Sequence, residues 1–246
     1  MRKILTSLSA LALSAGMASA GGKLAVPTEP VVAAPAPMVY DWSGGYAGLG
    51  LTYGRASYRS GTSEIIDDIG LTGNDFWPSG SGLGIGGFAG FNWQDGNMVY
   101  GVEGHLSGHR MRGSTGFEAE EIIEGRARTE VRSLASLRAR VGLAQDRTLF
   151  FVTAGPAIGN VRHSGSTDDF GGVSVSQSRS VSGLMIGVGI EHALAGGWHV
   201  RGDLEHYRFG KRNFSTGANE AGFDGATFPN VRTRVNLARI SAVFRF

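Results

Sequence analysis

The sequence predicts an all-β fold, an eight-stranded antiparallel up-and-down β-barrel that crosses a membrane through its strands. One observation is the carboxyl-terminal segment 238–246, ARISAVFRF, in which every second residue is apolar up to Phe246. Successive residues of a strand face opposite sides, so this segment has one apolar and one polar face. A second observation is that such alternating segments recur along the chain. A third is that short and long connections alternate between them.

The alternating segments have the length that a membrane-spanning strand requires. Each is near the roughly 9–11 residues that a tilted strand needs to cross a bilayer. The eight segments are 45–55, 83–93, 98–107, 131–143, 150–160, 184–194, 198–208 and 235–246. Closure of these strands into a barrel removes the open sheet edge that the last segment would otherwise present.

The connections predict how the barrel is oriented. Tight turns are expected at 95–97, 145–147 and 195–197, where the residue types favour turns. Long polar loops are expected at about 56–81, 108–129, 163–181 and 209–233. Short turns at one end and long loops at the other are typical of bacterial outer-membrane barrels, with the turns in the periplasm and the loops outside the cell.

The first residues are typical of an exported protein. Two basic residues precede an apolar run that ends in ASA at 18–20, the small-x-small form of a signal-peptidase site. We therefore predict a signal peptide at 1–20, a Pro-rich periplasmic tether at 21–43 and an outer-membrane barrel at 44–246. The predicted location is the cell outer membrane, with both termini in the periplasm.

Composition excludes several classes of protein. Two of the 23 Lys and Arg residues and none of the 21 Asp and Glu residues lie in 1–20, so the mature chain has 21 of each. A formally neutral chain predicts no nucleic-acid partner. The absence of cysteine excludes disulfides and a lipid-anchored cysteine. The histidines show no metal-ligand spacing, so neither a metal nor a cofactor is expected.

Aromatic residues are concentrated near the predicted turns and the termini. Such residues form girdles where a barrel meets the membrane surface. We therefore expect one ring of aromatic side chains at the periplasmic interface, made of Trp42, Trp93, Tyr100, Phe150, Trp198 and Phe246.

Several short motifs resemble those of a known family. They are DWSGGYAG at 41–48, GVEG at 101–104, RARVG at 138–142, GVGIEH at 187–192 and the closing VFRF. Their order and spacing resemble the small outer-membrane β-barrels of porin-like, opacity-type surface antigens of proteobacteria. The resemblance implies an eight-stranded barrel with no shared catalytic residue. It also implies that the outer-membrane assembly machinery recognises the terminal strand, with Phe246 and Phe244 as the signal.

The polar faces of the strands predict a charged lumen. The interior of an eight-stranded barrel is just wide enough for side chains, so charges there must pair with one another. We expect four arginines and four carboxylates in the lumen: Glu103, Arg138, Arg140, Glu191, Arg201, Asp203, Glu205 and Arg239. Their balance favours a closed lumen, and the alternative is a narrow porin-like channel for ions or small solutes.

A lipid-modifying enzyme is the third hypothesis. Glu103, His105 and Ser107 share one strand face and could supply an orienting carboxylate, a base and a nucleophile. All three are expected to point inward, away from a lipid substrate. The chain is therefore predicted not to be an enzyme, and a structural or surface-interaction role, antigen-like or adhesin-like, is favoured. The loops would then contact a host or phage ligand.

Basic residues at the outer rim predict a lipid contact. Four arginines lie at positions that alternation assigns to the lipid-facing side, and barrel closure brings their strands together: Arg55, Arg208, Arg232 and Arg234. Arginine can hold phosphate groups bidentately, so we expect contact with lipopolysaccharide in addition to the surrounding outer-membrane lipid. The alternative is a set of ordinary solvated rim charges.

Overall fold

The computed structural model describes residues 40–59, 78–119, 123–167, 174–210, 212–215 and 227–246. The predicted signal peptide at 1–20 and most of the predicted tether at 21–43 lie outside the described residues. Within these ranges, no helix is long and apolar enough to cross a membrane.

Eight of the nine described strands close into one barrel. The strands are β1 (Gly44–Arg59), β2 (Gly80–Asp95), β3 (Met98–Ala119), β4 (Ile123–Gln145), β5 (Thr148–Thr167), β6 (Ser174–Ala193), β7 (Trp198–Phe209), β8 (Arg212–Ser215) and β9 (Thr227–Arg245). Neighbours from β1 to β7 pair antiparallel, β7 pairs with β9, and β9 pairs with β1. The short β8 pairs with β9 beyond the point where β7 ends. The predicted eight-stranded antiparallel barrel is confirmed.

Tight turns lie at one end of the barrel, which we call the turn end. They connect β2 to β3, β4 to β5 and β6 to β7. Gly96, Asp146, Gly196 and Gly197 adopt positive φ angles there, from 50° to 78°. Glycine enters this region freely and aspartate tolerates it, which explains why these residue types predicted the turns. The opposite end is the loop end.

The strands extend beyond the predicted segments at the loop end. β3 has 22 residues and β4 has 23, and their pairing continues to Ala119 opposite Ile123. The predicted loops at 108–129 and 163–181 are therefore largely strand. Apolar alternation marks only the depth of the hydrocarbon, whereas backbone pairing continues past it, and this explains the difference. Most of the predicted loop at 56–81 lies outside the described residues, as do residues 211 and 216–226 of the predicted loop at 209–233.

The outer surface carries the apolar faces of the strands. Leu49 is 68% exposed and Leu83 is 70% exposed, as expected for side chains that contact lipid. Five of the six predicted girdle aromatics lie on this surface at the turn end: Trp93, Tyr100, Phe150, Trp198 and Phe246. The prediction is wrong for Trp42, which is fully buried. Trp42 precedes β1 and contacts residues of the barrel interior instead.

The interior near the loop end is mainly apolar, with buried Thr129, His163 and Thr233 among the apolar side chains, whereas the sequence predicted a charged lumen. This part of the core, the apolar cap, comprises Ala56, Tyr58, Met111, Val131, Leu134, Ala157, Val161, Val181, Met185, Tyr207, Phe209, Val231, Val235 and Leu237. Many of these residues lie in or at the edge of segments predicted as loops, for which no inward face was expected. The described interior thus has a charged middle beneath an apolar layer.

Candidate functional site in the lumen and at the rim

The centre of the lumen is organised around Glu103 on β3. Arg201 of β7 approaches it most closely, with Nη1 donating to Oε2 at 2.5 Å. Arg138 of β4 donates to Oε1 at 3.5 Å, and the hydroxyl of Tyr46 donates to Oε2 at 3.0 Å. Glu103, Arg138 and Arg201 are all buried, so this carboxylate is neutralised within the protein.

Glu205 on β7 is the second shared carboxylate. Arg138 holds it with two hydrogen bonds, of 2.8 Å and 3.1 Å, and Arg239 forms an ion pair with it. The hydroxyl of Tyr207 donates to Glu205 at 2.7 Å and accepts a hydrogen bond from Arg138 at 2.8 Å. Donors from the protein therefore satisfy the oxygens of this carboxylate, which requires little hydration.

Asp203 completes this set of charges, which we call the central ion network. Arg201 lies 2.8 Å from its Oδ1, and Arg239 lies 3.7 Å from its Oδ2. The network therefore consists of three arginines and three carboxylates: Glu103, Arg138, Arg201, Asp203, Glu205 and Arg239. Equal numbers of opposite charges offset the cost of removing them from water, because each charge contacts its counterions directly.

Strand register and small residues together create this arrangement. Glu103 pairs with Arg138 across β3 and β4, and Asp203 pairs with Arg239 across β7 and β9. Inward glycines on β1 and β2 leave space for the larger side chains opposite. At Gly90, for example, a Cβ would lie 2.6 Å from the Tyr46 hydroxyl oxygen and 2.5 Å from a backbone oxygen.

Two of the eight predicted lumen residues, Arg140 and Glu191, form a separate group nearer the turn end. Arg140 Nη2 donates to Glu191 Oε2 at 2.6 Å. His199 Nδ1 donates to the other carboxylate oxygen at 2.9 Å, and its Nε2 accepts from the Tyr40 hydroxyl at 3.0 Å. A chain of polar contacts thus leads from the barrel wall to the segment before β1.

That segment fills the turn end of the lumen. The rings of Trp42 and His199 meet edge-on with centroids 5.1 Å apart, and Tyr40 packs on Trp42 at the same distance. Arg245 of β9 donates to the Trp42 carbonyl oxygen. We call Tyr40, Trp42, His199, Arg140 and Glu191 the turn-end plug.

Sequence reasoning missed part of this plug. The alternation of β7 gives His199 inward parity, and the alternation of β9 gives the same parity to Arg245, which contacts the plug at the Trp42 carbonyl. Tyr40 and Trp42 precede the first alternating segment, so no sequence signal could place them inside the barrel. They were assigned to the tether and the girdle, respectively.

The three residues considered for catalysis do not form a catalytic arrangement. Ser107 Oγ lies 2.8 Å from Nε2 of His109 rather than contacting His105, and it donates weakly to the Leu134 carbonyl at 3.4 Å. Neither ring nitrogen of His105 has a hydrogen-bond partner among the described residues. The carboxylate of Glu103 forms ion pairs with arginines of the central ion network instead. The base, nucleophile and orienting carboxylate are therefore not connected.

The terminal aromatic residues lie at the seam where the barrel closes. The backbone N–H of Phe246 donates to the carbonyl of Gly45 at 3.0 Å, which continues the pairing of β9 with β1. The Phe246 ring covers Gly45, and Phe244 packs on Trp198 with a centroid distance of 5.2 Å.

The four predicted rim arginines lie on three neighbouring strands. Arg208 is directly opposite Arg234 across β7 and β9. Arg232 is opposite Arg59 across β9 and β1, and Arg55 lies two rows closer to the turn end than Arg59. Arg55, Arg59 and Arg208 are exposed. The sequence prediction omitted Arg59 because it stopped the first strand at residue 55.

Comparisons with known proteins agree with this architecture. Residues 24–246 match the family described as outer membrane protein beta-barrel domain. The chain is 29% identical over 239 residues to the 31 kDa outer-membrane immunogenic protein of Brucella melitensis biotype 1, an alignment that covers 95% of this chain and 97% of that protein. It is 30% identical over 193 residues to the 25 kDa outer-membrane immunogenic protein of Brucella abortus biovar 1, with 77% of each chain covered.

A solved structure was also matched, the attachment invasion locus protein of Yersinia pestis. It aligns with 82% of this chain and 99% of its own, at 15% identity and a TM-score of 0.39. The family match over residues 24–246 and the relatives in Brucella confirm both the predicted resemblance and the predicted outer-membrane location. The chain belongs to the outer-membrane protein β-barrel domain family.

Proposed function

We propose that this protein is a closed, non-catalytic barrel whose function is to display its extracellular end as an interaction surface in the outer membrane. The observation that carries the proposal is the filled lumen. The turn-end plug, the central ion network and the apolar cap follow one another from the periplasmic to the extracellular side.

The central ion network supports closure on energetic grounds. An ion that entered would have to displace an arginine or a carboxylate from partners at 2.5–3.1 Å, such as Arg201 from Glu103 or Arg138 from Glu205. Separation of one buried charge from its partner costs about 3–5 kcal/mol. The apolar cap adds a second barrier, since hydrophobic constrictions exclude water and ions.

Single-channel recording in planar bilayers tests closure. Purified protein that shows the heat-modifiable mobility of a folded barrel should give no conductance steps, while a wide porin added to the same bilayer serves as the positive control. Reproducible ion-selective steps from the folded protein would instead support the narrow porin-like channel.

Two observations support a surface-interaction role. The hairpins β3–β4 and β5–β6 continue far past the apolar band, so paired and polar strands project from the extracellular end. Relatives that cover most of the chain are named immunogenic outer-membrane proteins. A rigid projecting hairpin offers a host or phage ligand a preordered surface, which lowers the entropy lost on binding.

The absence of native cysteine makes display directly testable. Ser114→Cys on the projecting part of β3 should react with a membrane-impermeant maleimide on intact cells. Asn97→Cys in the β2–β3 turn is the matched control and should react only after the outer membrane is permeabilised. The reverse pattern would contradict the proposed orientation.

The geometry around Ser107 supports a non-catalytic role. Its hydroxyl contacts His109 and a carbonyl oxygen, and all three candidate side chains lie inside the barrel. Wild-type protein should release no acyl chain or phosphate from lipid A and cleave no peptide. Turnover that Ser107→Ala abolishes, with folding retained, would instead support the lipid-modifying enzyme.

A further inference from the structure

We propose that the outer surface of β7, β9 and β1 binds a phosphorylated, acylated lipid of the outer leaflet, the class that includes lipopolysaccharide. The site has a basic part, the basic seam, formed by Arg55, Arg59, Arg208, Arg232 and Arg234. An apolar groove lies beside it, toward the periplasm. The inference goes beyond the proposed function and does not depend on whether the lumen conducts.

Cross-strand register stacks the basic seam in rows. Arg208 and Arg234 are directly opposite each other, and Arg232 and Arg59 form the next row toward the loop end. Successive rows on one face are about 7 Å apart. Arg55 lies on the row nearest the apolar band, in register with Asn236. All five side chains therefore share one outward surface.

This arrangement places like charges together without a counterion from the described protein. Directly opposed side chains on paired strands have Cβ atoms about 4.5–5.5 Å apart, and like charges at that distance destabilise the sheet. None of the salt bridges among the described residues involves a member of the basic seam. A bound anion would remove the repulsion, because phosphate accepts hydrogen bonds from two guanidinium groups at once.

A groove of about 530 Å³ begins where the basic seam ends. Its floor is the small Ala238, which lies in register between Tyr53 of β1 and Leu204 of β7. The apolar side chains of Ile186 and Val188 continue it along β6. Such a groove fits an acyl chain better than water.

The groove and the basic seam share an edge. Arg55, His206 and Asn236 line the groove at the extracellular side, and His206 Nδ1 lies 2.7 Å from Asn236 Oδ1. A molecule that occupies both parts must carry its phosphate next to its acyl chains, as a phosphorylated membrane lipid does. Free phosphate would not need the groove.

The opposite side of the rim has a different arrangement. Glu130 of β4 lies in register between Arg112 of β3 and Arg162 of β5, and Arg112 Nε is 3.1 Å from its Oε1. Arg112 thus has a carboxylate of the protein as partner, and Arg162 Nε donates to Ser176 Oγ at 2.9 Å. These two arginines provide a control of equal charge change on the same rim.

The test compares four proteins in the same detergent. They are the wild type, the seam variant Arg208→Gln/Arg234→Gln, the groove variant Ala238→Leu and the control variant Arg112→Gln/Arg162→Gln. Thermal unfolding is followed for each with added bisphosphorylated lipid A, dephosphorylated lipid A or inorganic phosphate. Lipid A that co-purifies with each protein is also quantified.

We expect lipid A to raise the unfolding midpoint of the wild type and the control variant more than that of the seam variant. The apparent affinity of the seam variant for lipid A should fall about tenfold or more, as expected when two charge-assisted hydrogen bonds are lost. The groove variant should also bind less, with its arginines intact. Dephosphorylated lipid A should affect the wild type and the seam variant alike.

Several results would overturn the proposal. If lipid A stabilises seam and control variants equally, the seam consists of ordinary solvated charges. If inorganic phosphate alone reproduces the effect, the ligand is a free anion. If the groove variant binds lipid A as strongly as the wild type, the acyl chains do not contact the groove. If the seam variant fails to fold, Arg208→Lys/Arg234→Lys replaces it, because lysine keeps the charge but loses the bidentate contact. Unchanged lipid A binding by the lysine variant would then overturn the proposed bidentate contact between arginine and phosphate.

Discussion

At the scale of the residue, the lumen depends on side chains that each contact two opposite charges. Arg138 bridges Glu103 and Glu205, while Arg201 bridges Glu103 and Asp203. Because the arginines share their carboxylates, the removal of one guanidinium deprives two carboxylates of one ion-pair partner each. The energetic unit is therefore the network rather than any single ion pair.

Arg138→Ala should lower the free energy of unfolding by about 3–5 kcal/mol, because Glu205 loses its bidentate partner in a buried site. Adding Glu205→Gln should cost less than the sum of the single substitutions. Urea unfolding in lipid vesicles, followed by tryptophan fluorescence, measures both effects. The exposed Arg110→Ala is the control and should change stability by about 0.5 kcal/mol or less. Strict additivity of the two lumen substitutions would contradict a coupled network.

Trp42 is the residue whose role differs most from its predicted one. Trp42→Ala should destabilise the barrel by about 3 kcal/mol, because the ring packs on His199 and Tyr40 inside the lumen. Limited proteolysis should then cleave the chain near residue 40. Trp93→Ala at the lipid surface is the control and should leave that segment protected. Equal protection in both variants would mean that Trp42 does not anchor the plug.

At the scale of the element, strand length and membrane depth are separate properties. The outward face of β3 is apolar at Leu106 and becomes basic at Arg110, yet the strand continues to Ala119. Backbone pairing needs only a partner strand, whereas the apolar face needs lipid. The projecting hairpins therefore belong to the same sheet as the barrel without being part of its membrane span.

The β3–β4 projection should be dispensable for folding. Arg112 and Glu130 are directly paired, so residues 113–129 can be replaced by Asn-Gly, which favours a two-residue hairpin turn. The shortened protein should keep its heat-modifiable mobility and outer-membrane location. Antibodies raised against the full-length protein should bind intact cells less strongly. A shortened variant that accumulates unfolded in the periplasm would show that the projection is needed for assembly.

At the scale of the whole molecule, stability depends on closure between the first and last strands. β9 pairs with β1 from Arg245 opposite Tyr46 to Arg232 opposite Arg59, and Phe246 extends this ladder. A closed sheet has no unpaired backbone groups facing hydrocarbon, where each would cost several kcal/mol. The terminal residues thus act on the entire barrel.

Deletion of Phe246 should reduce assembly. It removes both the backbone bond to Gly45 and the aromatic side chain that the family resemblance assigns to recognition by the assembly machinery. We expect less heat-modifiable protein and more protein in the periplasm, measured by fractionation and unheated gel electrophoresis. Phe150→Ala, an outward aromatic at another turn, is the control. Normal surface levels of the deletion variant would contradict this role.

The sequence by itself determined the strand number, the turns and the side that each residue faces. Alternation reveals these properties because each residue responds separately to lipid or to the interior, and inward positions such as Glu103 and Arg239 could be identified from their own strands. Alternation did not reveal where the strands end beyond the membrane. Residues such as Met111 and Val161 face an apolar interior, but the outer faces of their segments are not apolar, so the pattern did not mark these segments as strands.

The tertiary structure alone decided which charges pair and what closes each end of the lumen. Arg140 and Arg138 are two residues apart on β4, yet one contacts Glu191 in the turn-end plug and the other contacts Glu205 in the central ion network. Such partners depend on closure, stagger and side-chain reach across the barrel, which no local pattern encodes. The same holds for Trp42, because a segment without alternation can enter the lumen only where the surrounding strands leave it space.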